Sequence, residues 1–255
     1  MKLGMVTYQL GKDWDLPTII KHCEETGFEG VELRTTHAHG VEPSLSSAQR
    51  AETRKLFEKT PVRLAGLGTT CEYHSPDPAE LRRNIEETKA WVDLAADLRC
   101  PGVKVRPNAF PEGVAQEVTL RQIGLALREC AEYGQHHGVQ IRMEVHGRGT
   151  SYPHLVRTML DIANHPNATA CWNSNPTDVE EGSIANSFKQ LAGRIGLVHA
   201  HDLFLADYPW RDLFCRLSES GYRGYVLIEA PATSDPIRVM RYMRALWDAY
   251  LPASR

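Results

Sequence analysis

The segment that best indicates the fold is Glu25-Thr26-Gly27-Phe28-Glu29-Gly30-Val31-Glu32-Leu33. A helical pattern ends before Gly27, and a short apolar, β-rich run begins at Gly30. The first glycine suits the left-handed backbone that commonly closes a helix. A second copy runs from Glu219 to Gly224 before the β-rich segment 225–229, and looser copies precede Val139 and Ile195. The recurring unit indicates that helices and strands alternate along the chain.

Short β-rich runs give eight candidate strands. They are residues 3–8, 30–33, 62–67, 102–105, 139–144, 169–173, 195–200 and 225–229. Apolar residues recur at helical spacing between them, and Asp77-Pro78 and Asp235-Pro236 are typical of helix starts. Eight parallel strands with right-handed crossovers close into a barrel. We therefore predict an α/β fold, a (β/α)8 TIM barrel, as a single domain over residues 1–255.

The alternative architecture is an open, doubly wound sheet. Such a sheet is expected to carry a glycine-rich phosphate turn after its first strand. The segment that follows the first strand here, Thr7-Tyr8-Gln9-Leu10-Gly11-Lys12, lacks that pattern. The barrel is therefore the favoured architecture.

Composition narrows the classes of function. The 255 residues are 42% apolar and 24% charged, with a net charge of -3. A bulk basic surface for nucleic acid is absent, so no nucleic-acid partner is expected. The sequence shows neither a signal peptide nor an apolar run of membrane-spanning length, so we expect a cytoplasmic protein without a membrane partner. The six cysteines form no Cys-x-x-Cys pair, which favours buried thiols.

Ionisable residues collect where the predicted strands end, and in a barrel these ends share one face. Strand by strand they are Glu32, Arg34, His37 and His39; Cys71, Glu72 and His74; Lys104 and Arg106; Glu144 and His146; Asn173, beside Trp172; His199, His201 and Asp202; and Glu229. This face is therefore the expected location of the functional site.

Three of these residues suggest a metal site. Glu144 and Glu229 each close an apolar strand, where an unpaired carboxylate is costly to bury. With His199 they come from strands that can converge on one point, and their oxygen and nitrogen donors suit Mn, Mg, Co or Zn. Alternatively, either glutamate alone is the structural ion-pair partner of Arg142 or Lys104.

Four further residues are candidates for substrate binding. Lys104 and Arg106 suit a phosphate or a carboxylate, although structural pairing explains them equally well. Trp172 is a candidate for stacking on a substrate, with packing in the barrel as the alternative. His37 lies in a polar loop, so the alternative to substrate binding is that it is an ordinary surface histidine.

Four segments together resemble the xylose isomerase-like TIM barrel superfamily of sugar-phosphate isomerases and epimerases. They are Met143-Glu144-Val145-His146, Leu197-Val198-His199-Ala200-His201-Asp202, the Gly-Tyr-Arg-Gly segment that leads to Ile228-Glu229, and residues 27–33. The resemblance extends over nearly the whole chain. It implies one divalent metal held by Glu, Asp, His and Glu after strands 5, 6, 7 and 8, of which Glu144, His199 and Glu229 match.

The chain departs from the family pattern after strand 6. The family usually has Asp-x-x-His there, whereas this chain has Asn173-Ser174-Asn175-Pro176. An amide oxygen can coordinate a hard cation but adds no charge. We therefore predict Asn173 as the fourth ligand. The site then carries one negative charge fewer, and Asp178 or Asp202 could supply the missing charge. A DNA-repair endonuclease branch of the fold needs several more metal-binding histidines and resembles the chain less.

The resemblance implies a metal-dependent isomerase or epimerase of a keto sugar, sugar phosphate or related polyol. The metal would stabilise an enediolate, Glu144 and Glu229 would move the proton, Lys104 would assist developing oxygen charge, and His146 would orient the substrate. Two alternatives stay open: a dehydratase or lyase on the same scaffold, and a metal-free sugar-binding barrel, which Asn173 favours. The family often forms dimers or tetramers, so a homo-oligomer is compatible with the resemblance.

Overall fold

A computed structural model describes residues 1–252, and these form a closed barrel of eight parallel strands in chain order. The strands are β1 (Lys2–Val6), β2 (Gly30–Arg34), β3 (Arg63–Glu72), β4 (Gly102–Arg106), β5 (Gln140–Glu144), β6 (Ala168–Asn173), β7 (Ile195–Ala200) and β8 (Tyr225–Ile228). The predicted barrel is confirmed, and the open sheet is wrong because β1 pairs with both β2 and β8.

One α-helix follows each strand. These helices are α1 (Leu16–Thr26), α2 (Ser47–Glu58), α3 (Pro78–Asp97), α4 (Gln116–His137), α5 (Pro153–Ala163), α6 (Ala185–Leu191), α7 (Trp210–Glu219) and α8 (Pro236–Tyr250), and a short 3-10 helix, Pro176–Asp178, precedes α6. None of the helices within residues 1–252 is long and apolar enough to cross a bilayer.

Local sequence signals set the helix ends. Gly27 caps α1 with φ +74°, and its N–H donates to carbonyls of the last turn, as the glycine pattern predicted. Asp77 and Asp235 cap α3 and α8 by accepting hydrogen bonds from backbone N–H groups of the first turn. The left-handed Gly27 turns the chain at the end of α1, so β2 begins close by, at Gly30.

Two strands end more than one residue away from the end that the sequence predicted. β1 stops at Val6 because the Tyr8 N–H turns back to the Val6 carbonyl at 2.8 Å, so residues 7–9 belong to a loop. β3 continues to Glu72, with an irregular register against β4 between Gly68 and Glu72. Both differences change which side chains reach the C-terminal end of the barrel.

The hydrophobic core lies mainly between the barrel and the helices, where residues such as Ile19, Val31 and Ile123 are fully buried. Arg142 lies inside the barrel, and its Nη1 donates to the Ala65 carbonyl at 2.7 Å. All six cysteines are free thiols, and five are buried as the sequence predicted, whereas Cys215, also expected to be buried, is half-buried.

Candidate active site

A cavity of about 560 Å³ opens at the C-terminal end of the barrel. Its lining consists of side chains at or just after the ends of β1, β2 and β4 to β8. Of the predicted site residues, the lining includes Lys104, Arg106, Glu144, His146, Asn173, His199 and Glu229. The fold therefore gathers most of the candidates at one place.

The structure brings Glu144, His199 and Glu229 together. Each offers one ligand atom, and these atoms lie within 4.8 Å of one another. Glu144 and His199 are buried, whereas Glu229 is half-buried. Two carboxylates and an imidazole at this separation form a donor set suited to a divalent cation.

Asn173 completes the set from the end of β6, where it pairs in register with His199. Its Nδ2 donates to Glu144 Oε1 at 3.4 Å, and its Oδ1 is buried with no hydrogen-bond partner among residues 1–252. A buried carbonyl oxygen without a partner is unusual, and it is a suitable ligand for a hard cation. These four residues therefore fit a divalent metal.

The two acids proposed as compensation lie in different surroundings. Asp178 is buried and accepts hydrogen bonds from the Tyr208 hydroxyl at 2.9 Å and the Asn175 N–H at 3.0 Å. Asp202 lines the cavity, and one of its carboxylate oxygens is buried without a hydrogen-bond partner in the described chain. Of the two, only Asp202 borders the cavity.

Lys104 and Glu144 form a buried ion pair, with Nζ and Oε2 2.8 Å apart. Burial alone would raise the pKa of Glu144, but Lys104 and His199 hold it well below its usual range. Burial would likewise lower the pKa of Lys104, yet Glu144 and Glu32 raise it. Lys104 thus lines the cavity and is also structurally paired, whereas Arg142 is occupied by the Ala65 carbonyl.

Glu32, noted above at a strand end but given no role, contacts the metal-site histidine. It is fully buried, and its Oε1 lies 3.2 Å from His199 Nε2, while His199 Nδ1 lies 3.1 Å from Glu144 Oε1. Burial would lower the pKa of His199, but Cys171, Glu32 and Glu144 raise it well above the usual value. A carboxylate on the second ring nitrogen is the usual means of orienting a histidine ligand. A sequence signal was available, because Glu32 interrupts the apolar strand β2.

Arg106 and His146 line the cavity beside this centre. Arg106 Nη2 donates to Glu72 Oε1, and Asn108 donates to the other oxygen of Glu72 at 2.7 Å. Burial lowers the pKa of His146, whose Nδ1 lacks a hydrogen-bond partner within residues 1–252. His146 is therefore available to a substrate, whereas Arg106 is already paired.

Two predicted substrate residues are not part of the cavity lining. Trp172 is fully buried, donates from Nε1 to the Tyr208 hydroxyl at 3.0 Å, and packs against Phe188. The expectation that it faces the substrate is therefore corrected in favour of packing behind the cavity wall. His37 is half-buried outside the lining, with Nδ1 3.4 Å from Thr7 Oγ1.

The cavity also includes residues to which the sequence assigned no role, although Arg34 and His201 were among those expected at the strand ends. They are Tyr8, Gln9, Arg34, Asn175 and His201, among others. Tyr8 was hidden because β1 was predicted to extend through it. Arg34 and His201 stand at strand ends, a position that was visible but did not distinguish them from surface residues.

The chain was compared with known families, curated proteins and solved structures. The sequence model described as "Xylose isomerase-like TIM barrel" matches residues 20–248. A human protein named "Putative hydroxypyruvate isomerase" is 22% identical over 257 residues, covering 91% of this chain and 90% of that one.

Solved structures share the fold at low sequence identity. A D-psicose 3-epimerase with D-tagatose from Clostridium cellulolyticum H10 superimposes with a TM-score of 0.82 at 17% identity, covering 98% of each chain. An L-ribulose 3-epimerase gives 0.83 at 16% identity, covering 98% of this chain and 94% of that one. The IolI protein with a bound zinc atom gives 0.77 at 17% identity, covering 98% and 99%. Identity this low supports a common fold and no more.

Proposed function

Because the chain belongs to the xylose isomerase-like TIM barrel family, we propose that it is a metal-dependent isomerase or epimerase of a keto sugar or related hydroxy-ketone. The observation that carries the proposal is the cluster of Glu144, His199 and Glu229, whose ligand atoms lie within 4.8 Å of one another, beside the unpartnered Asn173 oxygen. The names of the human relative and of the superimposed epimerases support the same class of reaction.

Glu144, Asn173, His199 and Glu229 would hold the cation. Their oxygen and nitrogen donors are compatible with Mn, Mg, Co or Zn. When bound, such an ion supplies Lewis acidity to the oxygens of a hydroxy-ketone. Glu32 Oε1 lies 3.2 Å from His199 Nε2 in a charge contact without hydrogen-bond geometry, and this contact would favour the orientation of the ring electrostatically.

The proton transfer is assigned to Glu144 and Glu229. Glu144 is fixed in its ionised form by Lys104 and His199. Glu229 is half-buried and has a longer contact, 3.7 Å, to His201 Nε2, which leaves it freer to accept a proton from a substrate carbon. Lys104 and His146 line the same cavity and can donate to substrate oxygens. Positioned acid–base groups of this kind typically accelerate a reaction by about 10²–10⁴-fold.

The test is an exchange and turnover assay. Protein stripped with a chelator and reloaded with Mn²⁺ is incubated in D₂O with ketopentoses, ketohexoses and hydroxypyruvate, and products are identified by NMR. We expect deuterium at the carbon next to the carbonyl, and Glu144→Gln and Glu229→Gln should each lower turnover by at least about 10²-fold. Glu112→Gln, an exposed residue outside the cavity, is the matched control. The absence of exchange with every compound in the reloaded protein would contradict the proposal.

A dehydratase or lyase would begin with the same proton removal, and the product mass distinguishes it, since a water is then lost. A metal-free binding barrel is the other candidate, and the observation in its favour is Asn173, which removes one charge from the ligand set. Metal content of the purified protein separates this candidate from the enzyme.

A further inference from the structure

The cavity contains an arginine that forms no salt bridge within residues 1–252. Arg34 lines the cavity from the end of β2. Within residues 1–252, no carboxylate oxygen lies within 4.0 Å of a guanidinium nitrogen of Arg34. Its guanidinium carbon lies 5.0 Å from the centre of the Tyr8 ring, another lining residue, and this contact supports the side chain in the cavity.

The lysine and the other arginine of the lining are already engaged. Lys104 pairs with Glu144 at 2.8 Å, and Arg106 pairs with Glu72. His201 Nε2 lies 3.7 Å from Glu229. Among the arginines and lysines that line the cavity, Arg34 is therefore the one left to contact an anionic ligand.

On this basis we propose that Arg34 binds a carboxylate of the substrate, so that the preferred substrate is a small hydroxy-ketone acid rather than a neutral ketose. This inference rests on the proposed function, since it names the substrate class of the same site. The planar guanidinium fork matches a carboxylate in a bidentate arrangement. A phosphate dianion is a poorer match because the neighbouring Arg106 and Lys104 are neutralised by Glu72 and Glu144. Hydroxypyruvate, in the name of the human relative, belongs to the proposed class.

A matched ligand series tests the subsite without relying on turnover. D-glycerate, glycerol and glycerol 3-phosphate share a carbon chain and differ in the terminal group. Their dissociation constants are measured by NMR titration on Mn²⁺-loaded and on chelator-treated protein. We expect glycerate to bind at least about tenfold more tightly than either of the others, as one charge-assisted bidentate contact allows.

The variants are Arg34→Met, Arg34→Lys and the control Arg148→Met. Arg148 is an exposed arginine in the loop after β5, outside the cavity lining, and its loss removes the same charge. Arg34→Met should weaken glycerate binding about tenfold or more and change glycerol binding by less than about twofold. Arg34→Lys should keep part of the preference, and Arg148→Met should keep all of it. Circular dichroism and the melting temperature of each variant verify that it folds.

Two results would overturn the subsite. In the first, Arg34→Met retains the glycerate preference, which would place the carboxylate on the metal or on another residue. In the second, glycerol 3-phosphate binds more tightly than glycerate. Failure of the proposed function is seen separately, in the deuterium-exchange assay. If that assay succeeds, the ratio of kcat/KM for hydroxypyruvate to that for dihydroxyacetone should fall at least about tenfold in Arg34→Met.

Discussion

At the scale of single residues, the site is a row of buried charges of alternating sign. Glu32 contacts His199, His199 contacts Glu144, and Glu144 contacts Lys104, at 3.2, 3.1 and 2.8 Å respectively. Charges removed from water are tolerated when each has a partner, and breaking one pair leaves an uncompensated charge behind. Single substitutions in this row should therefore affect folding and metal binding together.

Lys104→Met is expected to remove the partner of a buried carboxylate. The metal-free variant should lose about 3–5 kcal/mol of unfolding free energy, measured by urea denaturation. Mn²⁺ should recover part of this loss, because the cation supplies the missing positive charge near Glu144, while turnover should stay lower than in the wild type. Lys89→Met is the matched control, since Lys89 pairs with Glu86 and Glu129 on the surface and should cost less than about 1 kcal/mol. Equal losses in the two variants would contradict the role of the buried pair.

Asn173→Asp tests the fourth ligand. The substitution restores a negative charge at nearly unchanged volume, so Mn²⁺ should bind more tightly, on the order of tenfold, in a calorimetric titration. Asn175→Asp is the control, because it adds the same charge in the same cavity. The side-chain amide of Asn175 donates to the Val145 carbonyl at 2.6 Å and is not one of the proposed ligands. A dissociation constant that does not change in Asn173→Asp, or that falls equally in both variants, would count against Asn173 as a ligand.

At the scale of elements, hydrogen bonds connect β6 to the two loops beside the cavity. Trp172 on β6 donates to Tyr208 in the loop after β7, and Tyr208 donates to Asp178 in the short 3-10 helix. Leu205 and Asn175 of these same loops line the cavity. The loops that border the site are thus held by a buried polar connection rather than by apolar packing alone.

The burial of Asp178 should make stability depend on pH. Burial raises the pKa of Asp178 to about 7 from a reference value of 3.8. Between pH 3.8 and pH 7 the folded state holds a proton on Asp178 that the unfolded state has lost. The contribution of Asp178 to the free energy of unfolding is therefore greatest below pH 3.8, falls as pH rises towards 7, and stays constant above pH 7. In Asp178→Asn this dependence should be absent.

The measurement is urea unfolding of metal-free wild type and Asp178→Asn at pH 5 and pH 7.5. Between these values the wild type should lose stability relative to the variant, by up to about 1.4 kcal/mol per pH unit below the folded-state pKa. Asp13→Asn, at an exposed position, should follow the wild-type profile. Parallel profiles for wild type and Asp178→Asn would show that Asp178 titrates as it does in the unfolded chain.

At the scale of the whole molecule, the barrel closes where β1 contacts both β2 and β8. Gly4 pairs in register with Gly30 on one side and Leu227 on the other. A Cβ atom added at Gly4 would lie 2.4 Å from the Gly30 carbonyl oxygen and 2.5 Å from a methyl group of Leu227. The closure of the barrel therefore requires a residue without a side chain at this position.

Gly4→Ala is expected to destabilise the barrel by about 1–3 kcal/mol or more through overpacking. Thermal and urea unfolding of Gly4→Ala, Leu227→Ala and the double variant test the cause. The shorter side chain at Leu227 relieves one of the two close contacts, so the double variant should lose less than the two single losses combined. Strict additivity would mean that the Leu227 contact is not the source of the strain.

The sequence by itself determined the barrel and most of its candidate metal site. The helix caps and the eight β-rich runs are local signals, and eight consecutive units have few ways to close. Glu144 and Glu229 were visible because a carboxylate at the end of an apolar strand needs a partner. Strand alternation also indicates that Glu32 and Arg34, Lys104 and Arg106, and Glu144 and His146 share a face, since the members of each pair are two residues apart.

Only the tertiary structure decided which charges meet. It paired Lys104 with Glu144 and Arg142 with the Ala65 carbonyl, and it brought Glu32 on β2 to His199 on β7, across the barrel. The orientation of Trp172, by contrast, follows from strand alternation, because neighbouring residues of a strand point to opposite faces and Asn173 lines the cavity. Such pairings depend on strand tilt, register and barrel closure, which are properties of all the strands together. A single segment of the chain does not contain that information, and so the free arginine at the end of β2 became apparent only once the barrel was closed.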